Sequence, residues 1–135
     1  MFHPWQELCH LDHVIVEWMR PHPMIPAATD GERCIWLDPR MNQVERRCAL
    51  THELVHLEFG HVGCQPAGVE RGVRVETARR LITVEQLAEW VPWALSFEEL
   101  ASELWVTEMV LADRVDNLNA DERPVLGGVD FLYGY

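Results

Sequence analysis

Residues 49–60 read ALTHELVHLEFG, and within them His52, Glu53 and His56 form a His-Glu-x-x-His pattern. Four residues separate the histidines, so on a helix they project from one face a turn apart and both imidazoles can reach a single cation. Glu53 falls at the edge of that face. A carboxylate there can take a proton from an attacking water without itself binding the cation, which makes Glu53 the candidate general base and Zn2+ the candidate metal. Because the pattern fixes only three residue types, its context has to carry the reading; the alternative is a pair of core-edge histidines satisfied by hydrogen bonds.

Upstream, Asn42 followed by Glu45 resembles a capping box and predicts that the motif helix begins at about Gln43. Gly60 and Gly63 end it. Val44, Cys48, Thr51, Val55 and Phe59 fall at three- and four-residue spacings, so an apolar stripe runs beside the histidines and sets them facing a half-buried cleft.

Before the motif, Trp5 to Leu11 reads as a short helix and His13 to Met19 as a first strand. Arg20 to Pro26 holds three prolines, Thr29-Asp30-Gly31 is turn chemistry, and Arg33 to Leu37 is a second strand, so a loose hairpin is expected. Cys34, Ile35 and Trp36 in that second strand are the candidate edge for main-chain pairing with an extended substrate, with a plain core strand as the alternative.

After the motif, residues 61–68 form a loop marked by glycine and proline. Val69, Val73, Thr77 and Leu81 then repeat every four residues, a helical stripe that lets Glu70 point inward. A short helix is expected over Glu85 to Trp90, and two more over Phe97 to Asn117 with a break at Trp105-Val106-Thr107. From Asp121 the chain reads as a loosely held tail.

One domain's worth of chain, 135 residues, is long enough for a core without a metal staple, so a metal here would serve chemistry. No apolar run approaches a membrane span, and the amino-terminal MFHPWQELCH has neither a basic nor an apolar leader region, so a cytoplasmic protein is expected. The four cysteines are scattered without a CxxC pair and are expected to be reduced and mostly buried. Net charge is -11, and from Thr83 onward eleven acidic residues face only Arg114 and Arg123. Such a surface repels phosphate backbones and suits basic protein partners.

These residues resemble the ImmA/IrrE family of small metallopeptidases, in the short form found in phages and other mobile elements. The resemblance is carried by CIWLD from Cys34, by ERRCALTHELVHLEFGH from Glu45, and by an ExxVxxxxARRLI run from Glu70 to Ile82. It covers about Ile35 to Ile82 well and the flanks loosely, and implies an α+β minimal zincin-like domain with a small antiparallel sheet packed on the motif helix; the chain, read as one domain over 1–135, then divides into a catalytic half (1–82), an acidic helical part (83–120) and the tail (121–135). The implied zinc ligands are His52, His56 and Glu70. In the family this glutamate commonly opens an ExxA(N/D) run, and Arg74 stands here where Asn or Asp is usual, which keeps Glu76 as the runner-up ligand. The implied function is hydrolysis of a peptide bond in a helix-turn-helix repressor, as in control of phage lysogeny.

His61 follows His52 by nine residues, one short of the HExxHxxGxxH spacing, and reads as a solvent-facing loop residue ahead of a ligand or an oxyanion donor. A His61-x-x-Cys64 pair is a weak metal signal. Phe97 to Leu118 has helix-turn-helix spacing, but its turn position holds Trp105 and its second helix carries Glu108, Asp113 and Asp116, so no direct nucleic-acid binding is expected. A rival of another class is a catalytically silent module that captures a repressor through the acidic carboxy-terminal helices.

Overall fold

A computed structural model describes residues 1–132 as an α+β fold with six α-helices and one three-stranded sheet. In chain order these are α1 (Pro4–Cys9), β1 (Ile15–Trp18), β2 (Ala27–Thr29), β3 (Cys34–Leu37), α2 (Gln43–Glu58), α3 (Ala67–Leu81), α4 (Val84–Trp90), α5 (Phe97–Leu104) and α6 (Glu108–Asp116). Two 3-10 turns, Arg123–Leu126 and Asp130–Leu132, follow.

The sheet differs from the expected antiparallel hairpin. Its order is β1-β3-β2, with β1 parallel and β2 antiparallel to β3. The hairpin joins β2 to β3, and Asp30 builds its turn: Oδ1 accepts from the backbone N–H of Glu32, Arg33 and Cys34 at 2.9, 2.9 and 3.0 Å. Those bonds stabilise the ionised form and hold the Asp30 carboxyl below its ordinary range. Strand β2 escapes a propensity reading because it is three residues long, contains two alanines and follows the prolines. Its presence makes β3 the central strand, paired on both sides. Cys34, Ile35 and Trp36 therefore offer no open edge, which corrects the expected substrate-pairing role; Cys34 and Ile35 are buried, and the Trp36 indole N–H donates to Glu17 at 3.0 Å.

Helix α2 starts as its sequence dictates. The Asn42 side chain accepts from the Glu45 N–H at 2.8 Å and Glu45 returns to the Asn42 N–H at 3.0 Å. The helix is buried on more than one side, because it lies between two cores. Leu50 and Leu54 join Ile35, Leu37, Val14, Ala27 and Met41 beneath the sheet. Cys48 joins a helical core containing Leu81, Ile82, Leu87, Leu100, Leu104 and Leu111. Full burial of an aliphatic side chain contributes about 1.5–3 kcal/mol, so these two clusters clamp α2 from opposite flanks. Polar residues inside are satisfied: Thr51 Oγ1 donates to the Arg47 carbonyl at 2.8 Å, and Arg47 donates to the carbonyls of Phe2, Leu104 and Trp105. Phe59, read from its spacing as part of the stripe, is exposed.

The carboxy-terminal segment is another correction. Leu126 and Leu132 are buried in the helical core, so residues 121–132 are packed rather than loose; the last three residues of the expected tail lie outside the described residues. Of the cysteines, Cys34 and Cys48 are buried and Cys9 and Cys64 exposed, all as thiols. Among the described residues, no helix is long and apolar enough to cross a membrane.

Candidate metal centre

Helix α2 delivers the two histidines and α3, packed against it, delivers the carboxylate. His52 Nε2 lies 2.6 Å and His56 Nε2 3.1 Å from the same oxygen, Glu70 Oε1. Among the described residues, His52, His56 and Glu70 are the one group of three or more metal-capable side chains whose donor atoms gather, all within 4.8 Å of one another. Both imidazoles aim the same ring nitrogen at one carboxylate oxygen, an arrangement in which N–H protons occupy the ground a cation would take. Two imidazole nitrogens and one carboxylate oxygen fit zinc with a fourth position left open. These residues could hold a metal ion.

The electrostatics favour that donor set. Burial, the largest influence, lowers the His52 imidazole below its ordinary value even though Glu70 pulls it up, which favours the neutral form that a ligand needs. At Glu70, burial acts to raise the carboxyl, but the hydrogen bonds and charge of His56 and His52 together bring it below its ordinary value. Glu53 behaves oppositely. Burial, aided by the charge of Glu70, pushes its carboxyl up to about 8. Its carboxylate makes no hydrogen bond to any described residue, and a nearby cation would favour its ionised form.

All four side chains line a cleft of about 750 Å³. Its walls include β2 at Ala27, Ala28 and Thr29, and Met109, Val110 and Asp113 from α6. The strand that borders the cleft is β2, which pairs only with β3 among the described strands. Arg74 also lines the cleft, where the resemblance expects Asn or Asp. Its guanidinium makes a two-pronged pair with Asp113: Nε to Oδ2 at 3.0 Å and Nη2 to Oδ1 at 2.7 Å.

Glu76, the runner-up ligand, lies outside this group and accepts from Arg80 Nε at 2.9 Å. His61 is not the solvent-facing residue its spacing suggests: its Nδ1 is 3.0 Å from His56 Nδ1, and it lines the cleft. The signal for this was Gly60, which turns the chain at φ +69° so that the next residue folds back over the helix end. Cys64 lines the cleft rim, outside the ligand group. No protein-family model matches this chain, and neither the curated proteins nor the solved structures hold a match to it.

Proposed function

We propose that this chain is a zinc-dependent endopeptidase of zincin type that cuts a peptide bond in a regulatory protein, a helix-turn-helix repressor being the substrate the family resemblance implies. The observation that carries the reading is the meeting of His52 Nε2, His56 Nε2 and Glu70 Oε1 on the wall of a cleft that also holds the buried Glu53.

Bound zinc supplies Lewis acidity toward a peptide carbonyl and lowers the pKa of water. The rest falls to the protein. His52, His56 and Glu70 would hold the ion. Glu53, buried beside the ligands and favoured in its ionised form by a bound cation, would accept a proton from the attacking water and deliver it to the departing amine. β2 takes the substrate main chain in extended form along its unpaired side, and the apolar part of the cleft takes side chains. Asp113 holds Arg74 against α6, so that the guanidinium is already paired where it borders the cleft.

Incubating the zinc-loaded chain with the repressor encoded nearest to it tests the proposal. Cleavage at one or a few bonds is expected, with Glu53→Gln retaining zinc and repressor binding but losing cleavage by several orders of magnitude. Binding without cleavage by the unsubstituted chain would favour the silent module, whose supporting observation is the acidic surface from Thr83 onward.

A further inference from the structure

His61 lies outside the ligand group yet meets one of its members twice. Its backbone N–H donates to the His56 carbonyl at 3.0 Å, and the Gly60 N–H donates to Leu57 at 3.1 Å, the paired bonds of a helix stop built on a left-handed glycine. Its side chain returns to the same residue, with Nδ1 3.0 Å from His56 Nδ1. The Phe59 ring stacks beside it with centroids 5.7 Å apart. Behind the loop stands Gly31, at φ +81°, where an added Cβ would lie 2.2 Å from the His61 carbonyl oxygen. The turn between β2 and β3 thus fixes the height of the loop that carries His61.

The nitrogens then have assigned roles. An imidazole that gives its Nε2 lone pair to a cation carries its proton on Nδ1, and that proton needs an acceptor. We propose that His61 is the positioning residue for His56, accepting from His56 Nδ1–H through its own Nδ1, with Gly31 keeping the loop at the height that allows it. His61 is thereby held as the Nε2–H tautomer. The inference rests on the metal reading above and adds to it a residue outside the ligand group.

The test is a zinc titration of the full chain against a competing chelator. His61→Phe keeps a ring beside Phe59 but removes the acceptor, and is expected to bind zinc about 10–100-fold more weakly. His61→Asn, whose side-chain carbonyl can accept, is expected to recover most of that loss. Gly31→Ala, whose added Cβ meets the His61 backbone carbonyl and not a ring, should weaken binding about tenfold. In the 15N-labelled, zinc-loaded chain a coupling between the two Nδ1 nuclei across the shared proton is expected. Equal zinc affinity in the unsubstituted and His61→Phe chains, or absence of that coupling, would overturn the inference alone; an unsubstituted chain that takes up no zinc would overturn the metal reading, and this inference with it.

Discussion

Glu70 and Glu76 sit on the same helix in opposite surroundings. Glu70 Oε1 receives both imidazoles, whereas Glu76 is turned to Arg80 in an i,i+4 pair. Glu70→Ala should therefore cut zinc content at least tenfold, and Glu76→Ala should leave it within a factor of two and cost at most about 0.5 kcal/mol of stability. Metal analysis of the two purified variants checks this, and the reverse order would place the third ligand wrongly. Glu53 carries a pH signature of its own. Its carboxyl titrates near 4.5 when unfolded and at about 8 when folded without metal. Below the lower value both states are protonated and nothing changes. As pH rises from about 4.5 to about 8, the unfolded chain ionises first, so stability falls, by an amount on the order of a few kcal/mol, and the loss is complete above the folded value. Denaturant unfolding in the presence of a chelator at pH 5 and pH 8 should show this fall, and Glu53→Gln should flatten it. At this scale the sequence revealed types and spacing but not second partners. His52, Glu53 and His56 were legible because helical geometry alone brings them together, while the His56–His61 and Arg74–Asp113 contacts depend on how a loop and two distant helices pack.

Helix α2 begins and ends on signals written within a few residues of each terminus, which is why its span was legible. Removing one of them, by Asn42→Ala, should lower stability by about 1 kcal/mol, read from the denaturant midpoint, with zinc affinity nearly unchanged because the ligands lie more than two turns away. The break between α5 and α6 was legible as well, although for a different reason than the residue at it suggests. Trp105 adopts a left-handed φ of 58°, the conformation usually left to glycine, and its carbonyl is held by Arg47 Nη1 at 2.7 Å. Tertiary hydrogen bonding there overrides local preference. Strands fared worse. Pairing partner and direction are set by contacts between segments far apart in the chain, so the sequence marks β1 and β3 as strands but not as parallel neighbours, and does not mark the short β2 that lies between them along the chain. The consequence is functional, since β2 and not β3 borders the cleft.

Across the whole molecule, α2 is the shared wall of two cores, and the carboxy-terminal turns close the helical one. Leu132 is 1 % exposed, so Leu132→Ala should cost about 2–5 kcal/mol in thermal or denaturant unfolding, where a loose tail would show no change. The burial of that segment was hidden in the sequence because proline and paired glycines interrupt any period, even though its two leucines reach the core. α6 is likewise engaged: it packs on α3 and places Asp113 against Arg74, so part of the acidic face that set this helix apart in the sequence is used inside the molecule. The central claim, that adjacent turns of α2 and the following helix converge on one ion with a vacant position, is tested most directly by anomalous diffraction at the zinc edge from crystals of the zinc-loaded chain. The expected result is a single peak about 2.0–2.2 Å from His52 Nε2, His56 Nε2 and a Glu70 oxygen, with no fourth protein donor. A peak elsewhere, or one enclosed by four protein ligands, would contradict it.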